Sequence, residues 1–341
     1  MKIVDTHEII QLIHLLGEQN FSQALLSRLQ TTFEQWHKFT FSPRNCTHFD
    51  VGVIELMPCA DDVFYSCKYV NGHPQNPQYK KLSVAALGLL ADVATGYPIL
   101  LTDMTLLTAF RTAATSALAA KYLAKSDSSK LAIIGTGAQS EFQVKALCQI
   151  FPIQQVRYYD QDMSAMTKFA INIQQTGIRL IPCKNINELL PDNDIIITAT
   201  ARKQKQNLIS QADLYPGLLI IAIGGDCPGK TELNPDILSN NRVVVEYLPQ
   251  SKNEGEIQTL NSQTVTDINH APSELWQIVS GKIQGRSNEQ DIIVFDSVGI
   301  ALEDFATLTL VNELVEKYKL GTEHCMIPEP VDPKNLYGLL S

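Results

Sequence analysis

The sequence predicts an α/β protein: a Rossmann-type, doubly wound parallel sheet domain joined to a discontinuous α+β domain made from both ends of the chain. Three observations point there. Leu131 to Ile134 form an apolar run that breaks into Gly135-Thr136-Gly137 and then turns helical in pattern, the order of a nucleotide-binding unit. A second β-like run, Val156 to Tyr159, ends in Asp160, 25 residues beyond Gly135, near the ~20-residue spacing of an acid that accepts ribose hydroxyls. Further runs at Asp194 to Thr200, Leu218 to Ile223, Arg242 to Val245 and Ile292 to Phe295 are separated by segments long enough for crossover helices, the rhythm of a parallel sheet.

The remaining elements follow in chain order. Apolar residues recurring at three and four predict helices from Thr6 to Gly17 and from Phe21 to His37. Val51 to Met57 and Phe64 to Val70 read as strands, the second ending in the turn signal Asn71-Gly72, and Ala86 to Val93 and Tyr97 to Leu101 flank a turn at Thr95-Gly96. Leu106 to Leu123 is rich in Ala and Leu and lacks Gly and Pro, so it is a helix. The polar stretch Lys125 to Ser129 marks a boundary, and a second long helix runs from Ile300 to Tyr318. The expected layout is a domain of residues 1–125 plus 305–341 around a Rossmann domain of residues 126–304.

Composition narrows the class. The 341 residues are 45% hydrophobic and 18% charged, ordinary for a globular enzyme. No apolar run reaches the ~18 residues of a membrane span, and Asp5, His7, Glu8 and Gln11 interrupt the N-terminus, so the expected location is cytoplasmic. The net charge of −9 without a basic block argues against nucleic acid or anionic membrane as a partner. Seven scattered cysteines without C-x-x-C pairs, and seven histidines without H-x-x-x-H spacing, predict neither a disulfide framework nor a metal site.

Chemistry concentrates in three places. Gly135 permits the tight turn, Gly137 lets backbone approach a phosphate, and Ser140 replaces the third fingerprint glycine. No Arg follows Asp160 in Asp160-Gln161-Asp162, so NAD is favoured over NADP. At the end of an inferred strand, Gly224-Gly225 allow close approach to a nicotinamide; Asp226 by position alone suits a turn or helix cap before Pro228, and facing a nicotinamide it suits an acid/base. Cys227 beside it reads as a small buried residue. In the first domain Arg44, Lys68 and Arg111 interrupt apolar or small-residue contexts. Taken singly, each suits a solvated surface; gathered at a cleft, they suit a small carboxylate, with Glu55 available to an amino group.

The blocks VGVIELMP, KYVNGHP, LADVATGYP, FRTAATSALAA, IGTGAQSEFQ, GGDCPGKTEL, VEYLPQ, EGEI and VFDSVGIALED resemble the ornithine cyclodeaminase and mu-crystallin family from about Arg44 to Tyr318. The family's own loop reads Gly-x-Gly-x-Gln-Ser, which accommodates Ser140. The resemblance implies that Arg44, Lys68 and Arg111 bind a substrate carboxylate, that Glu55 and Asp226 meet amino groups with Val298 alongside, and that Asp226 is the catalytic acid/base. For the cofactor it implies Ser83, Arg111, Gly135, Gly137, Ala138, Gln139, Asp160, Thr200, Ala222, Ile223, Gly224, Gly225, Lys230 and Ser297. Ser83 stands where the family has Thr. The implied activity is cyclodeamination of L-ornithine to L-proline and ammonia with NAD and no net redox change, in a homodimer. A net amino-acid dehydrogenase or ketimine reductase, and a non-enzymatic binding protein, are the alternatives; chain length among ornithine, lysine and diaminobutyrate stays open, since one methylene is worth only ~1–3 kcal/mol.

Overall fold

The computed structural model describes residues 1–174, 177–201, 205–260 and 271–340. Among them no helix is long and apolar enough to cross a membrane. Two large sheets organise the chain.

The first sheet takes its strands from the two ends of the sequence: β1 (Lys2–Val4), β2 (Thr40–Phe41), β3 (Asn45–Phe49), β4 (Gly52–Ala60), β5 (Phe64–Gly72), β6 (Ala86–Asp92), β7 (Pro98–Asp103) and, near the C-terminus, β18 (Thr322–Glu323). Their order is β18-β1-β7-β6-β5-β4-β2, with β3 also pairing β4. The four strands from β4 to β7 form an antiparallel meander. Alternation puts Val53, Glu55 and Met57 of β4, and Ser66, Lys68 and Val70 of β5, on a covered face. The helix Ala301–Tyr318 packs on that face against β4, β5 and β6.

The second sheet is parallel throughout, as expected for a doubly wound fold. It contains β8 (Lys130–Ile134), β9 (Gln155–Tyr159), β10 (Arg179–Pro182), β11 (Ile195–Thr198), β13 (Leu219–Ala222), β15 (Arg242–Val245), β16 (Ser273–Glu274) and β17 (Ile293–Asp296). The order β10-β9-β8-β11-β13-β17-β15-β16 reverses between β8 and β11. Ligands in such sheets bind outside the carboxyl ends at that reversal. A separate pair, β12 (Lys205–Ile209) and β14 (Thr231–Leu233), lies beside it.

The helix Thr105–Leu123 links the two sheets. Thirteen of its residues are buried, most of them Ala, Thr and Leu, so small side chains let it pack against Glu18–Glu34 on one side and Ser140–Cys148 on the other.

Most predicted elements appear with ends shifted by a few residues. The second helix runs from Glu18 to Glu34 and is followed by a short 3-10 turn at Trp36–Lys38. Asn71-Gly72 is not a hairpin turn: both residues remain in β5, opposite Ile54 and Val53. Asn71 instead closes the loop beyond it, its Oδ1 accepting from Ala85 N at 2.6 Å. The strand β3 escaped the sequence reading because it is largely exposed and lacks an apolar alternation.

Gly135 ends β8 with φ +100°, and a Cβ added there would sit 2.5 Å from the Ala199 carbonyl oxygen. Gly135→Ala therefore combines an unfavourable backbone conformation with a clash against rigid backbone. Chemical denaturation is expected to show a loss of about 2 kcal/mol or more of unfolding free energy; wild-type stability would contradict this packing.

Candidate active site

The three cations and Glu55 converge on one cleft of about 180 Å³ between the two sheets, which Asp226, Ser297, Val298 and Gly299 also line. None of the three cations is a surface charge. Lys68 is 1% exposed, and its Nζ donates to Asp304 Oδ1 at 2.8 Å. Arg111 Nε reaches the same oxygen at 3.1 Å while its Nη1 reaches Glu303 Oε2 at 2.9 Å. Arg44, just ahead of β3, donates from Nη1 to Glu55 Oε2 at 3.0 Å and lies 3.4 Å from Glu254 through Nε. Its Nη2 donates to the carbonyls of Val298 and Gly299. Burial and the neighbouring Arg111 bring Lys68 down to about 8, against the pull of Asp304.

The segment Ser297-Val298-Gly299 is held from behind by a fully buried acid, Glu246. Its carboxylate accepts from Ser297 Oγ at 2.6 Å, Val298 N at 3.0 Å and Gly299 N at 2.6 Å. Gly299 adopts φ +77°, and any Cβ there would strike the Arg111 guanidinium. Glycine at this point is what lets the arginine reach the cleft.

Asp226 sits at the rim rather than under cover. Its side chain is 50% exposed and accepts from the buried Lys230 Nζ at 2.9 Å. Burial opposes the charge on Lys230, but Asp226 and Glu232 outweigh it and raise its pKa.

The space beside Gly224 and Gly225 is filled by the protein's own carboxylates. A Cβ on Gly224 would collide with Glu232 and one on Gly225 with Glu256. These glycines accommodate a ladder of buried acids. Glu232 accepts from Thr200 N at 2.8 Å, Glu256 from Glu232 N at 2.8 Å, and Asp296 from Glu256 N at 2.9 Å. Burial pushes Asp296 up to about 7.

A second cavity of about 430 Å³ lies along the β8–β11 reversal, lined by Gly135, Gly137, Asp160 and Thr200 among others. Asp160 accepts from Thr136 N at 2.7 Å, so the predicted ribose acid also fixes the glycine loop. Ser140 Oγ donates to the Gly137 carbonyl at 2.8 Å, which gives the residue at the third glycine position a structural task. Among the described residues a Cβ on Gly137 would meet nothing within 4 Å, and Gln139 Oε1 is buried without a partner. Open backbone and a carboxylate beside this cavity, with an unsatisfied amide oxygen at Gln139 where the loop meets the substrate cleft, fit a dinucleotide that runs from one to the other.

Six expected cofactor residues line neither cavity: Gly224 and Gly225, packed against Glu232 and Glu256, and four others. Ala138 faces a groove against the helix Thr6–Leu16. Ala222 is fully buried in β13. Ser83 sits in the loop after β5, its carbonyl accepting from His73 N at 2.8 Å, and lines neither cavity. Lys230 is engaged by Asp226. Ile223 and Ser297 do line the substrate cleft, as do Cys227 and Gln139.

Thr108, also in that lining, carries a buried hydroxyl without a partner among the described residues, and no signal in its Ala-rich context marked it. Cys46, Glu55 and Glu254 bring ligand-type atoms within 4.8 Å of one another, but Arg44 supplies the positive charge there. Burial and the two glutamates push the Cys46 thiol up to about 12.

The profile of the Ornithine cyclodeaminase/mu-crystallin family matches residues 6–319. The chain is 43% identical over 337 residues to the ornithine cyclodeaminase of Agrobacterium tumefaciens (strain Ach5), covering 99% of this chain and 93% of that one. Among solved structures it resembles a lysine cyclodeaminase studied for recognition of L-lysine, L-ornithine and L-2,4-diaminobutyric acid, with TM-score 0.93 at 26% identity over 99% of both chains. An archaeal alanine dehydrogenase dimer with bound NAD is similar at TM-score 0.88 and 29% identity, covering 96% of this chain and 99% of that one.

Asp296 gives a pH test of the buried ladder. Its folded-state pKa is raised from 3.8 to about 7, so the native state holds the proton more tightly than the unfolded chain. Its stabilising contribution is full below about pH 4 and is lost as pH rises through about 7. Denaturation midpoints measured across that window are expected to fall less steeply in Asp296→Asn than in wild type. Identical slopes would contradict the assignment.

Proposed function

The chain belongs to the ornithine cyclodeaminase/mu-crystallin family, and we propose from this premise that it converts L-ornithine to L-proline and ammonia with NAD as a retained cofactor. The observation that carries the reading is the unequal charge along one small cleft. At one end Lys68 and Arg111 share Asp304. Toward the rim Arg44 lies between Glu55 and Glu254, and Asp226 is half exposed. An amino acid with one carboxylate and two ammonium groups matches both ends, its carboxylate on the cations and its amines among the acids.

The protein's own groups then act as follows. Lys68 and Arg111, with Arg44 forming the adjoining wall, fix the substrate carboxylate and so orient the α carbon. Val298 lines the wall, and its carbonyl holds Arg44 in place. Glu55 and Asp226 meet the amino groups. Asp226, positioned by Lys230, takes a proton from the attacking terminal amine and returns one to the departing ammonia.

The residues that would hold the dinucleotide are Gly135, Gly137, Gln139, Asp160 and Thr200, with Ile223, Ser297 and the Gly224-Gly225 backbone toward the substrate. When bound, NAD+ supplies a temporary acceptor for the α-carbon hydride, so the overall conversion is redox-neutral. The expected boundary at 304/305 falls inside the continuous helix Ala301–Tyr318, which packs on the first sheet, so the unit assigned to substrate binding and dimerisation takes in that whole helix with residues 1–125, and the residues between them are assigned to the cofactor.

We assign the second copy to the outer face of the first sheet. Leu56, Tyr65, Tyr69 and Leu87 are 41–51% exposed there, opposite the face covered by Ala301–Tyr318. A contiguous apolar sheet face of this kind supports a homodimer. Scattered cysteines support a reducing compartment, the cytoplasm.

Two outcomes are expected. Asp226→Asn lowers turnover about 10²- to 10⁴-fold while NAD binding, followed by fluorescence titration, is retained; near-normal proline production would overturn the role of Asp226. With NAD+ well below substrate, proline and ammonia form in equal amounts without build-up of NADH. Stoichiometric NADH would identify a net dehydrogenase.

A further inference from the structure

Two fully buried acids beside the cations have no place in the chemistry above. Glu303, in the helix Ala301–Tyr318, and Glu246, at the end of β15, are both 0% exposed. They close on the same point of the fold: Glu303 accepts from Arg111 Nη1 at 2.9 Å, Glu246 accepts from Gly299 N, and a Cβ on Gly299 would strike that same Nη1, so the two carboxylates are neighbours across Gly299 and Arg111. Their other partners differ in kind. Glu246 is surrounded by donors: the Ser297 hydroxyl and the N–H groups of Val298 and Gly299. Among the described residues Glu303 receives only Arg111 Nη1, on Oε2, while its Oε1 is buried and no donor among them reaches it. Three donors suit an ionised carboxylate, and an oxygen that meets another carboxylate suits a protonated one.

We propose that Glu303 and Glu246 share one proton, carried on Glu303 Oε1, and that this proton keeps the Lys68–Arg111 pocket able to accept a substrate carboxylate. The inference rests on the ornithine-site reading for its functional half. The charged groups that face the pair are Arg111 from the helix Thr105–Leu123, Asp304 from Glu303's own helix and, on the Glu246 side, the buried Asp296 at the end of β17; Lys68 of β5 and Arg44 act one step further off, through Asp304 and Arg111. With the shared proton in place, Asp304 and Glu246 balance Lys68 and Arg111. Without it a third buried carboxylate would compete with the substrate for the same two cations. Burial and Glu246 both favour the protonated form of Glu303, against Arg111. Glu303 is thus a positioning residue: as a neutral acid it accepts from Arg111 with one oxygen and donates to Glu246 with the other.

The order of two substitutions reads this directly. Glu303→Ala removes both hydrogen bonds and is expected to raise KM for L-ornithine about 10- to 100-fold, with a smaller effect on kcat. Glu303→Gln has a carbonyl oxygen for Arg111 and an N–H for Glu246, so it recovers most of that loss. Were Glu303 an ionised counter-ion, Gln would do no better than Ala, and that result would overturn the proposal.

The protonation itself is measured without substrate. The infrared difference spectrum of wild type minus Glu303→Gln should contain a carboxylic-acid C=O band, and a carboxylate band in its place would overturn the shared proton. Neutron diffraction of the wild-type holoenzyme, which needs no variant to fold, should place a deuteron on Glu303 Oε1; bare oxygen there would refute it. Failure of the ornithine assignment alone would leave both spectroscopic results standing.

Discussion

The carboxylate of Asp304 is the fixed point on which the site depends. It is fully buried, and it takes hydrogen bonds from a strand lysine, Lys68, and a helix arginine, Arg111, that are far apart in sequence. A lysine that is 1% exposed would lose its charge in an apolar interior without such a partner. Asp304 therefore holds two cations charged at the bottom of the cleft and ties the first sheet to the C-terminal helix and to the helix that links the sheets. Removing any one of the three strands a charge out of water, which costs far more than a surface pair of the same geometry.

Acids of a different kind organise the other wall. Glu232, Glu256 and Asp296 line the carboxyl edge of the second sheet and bond mainly to backbone N–H groups. They hold the segment after β11, strand β14 and the turn at Glu256–Ile257 at fixed spacing, and they fill the volume that Gly224, Gly225 and Gly255 leave open. Glu246 extends this logic to Ser297-Val298-Gly299, the segment that both arginines touch. The pocket is thus shaped by polar groups that never need to meet a ligand. Burying so many carboxylates lowers stability, and their raised pKa values are the physical sign of it.

Six of the eight strands of the parallel sheet were legible because each is a short apolar run between turn signals, whereas the edge strands Arg179–Pro182 and Ser273–Glu274 carry no such run; Asp160 was legible from its spacing to Gly135. Arg44, Lys68 and Arg111 stood out by contrast with their neighbours, although contrast alone did not distinguish a buried cation from a solvated one. The acids were not legible. Glu303 and Asp304 open a helix, where carboxylates are ordinary first-turn residues, and Glu246 and Glu254 lie in short polar segments. What gives each its place is the neighbour it meets across the fold, and those contacts span tens to hundreds of residues. Asn71-Gly72 misled for the related reason that a local turn preference yielded to pairing with β4.

The central claim is that one cleft takes hydride from the α carbon of a diamino acid and returns it to the same carbon. L-Ornithine deuterated at that carbon, turned over with NAD+ in catalytic amount, tests this most directly. The account predicts proline that keeps the deuterium at its α carbon, with no labelled reduced cofactor accumulating. Proline carrying solvent hydrogen at that position, or a free keto acid with deuterium held in the cofactor, would contradict it.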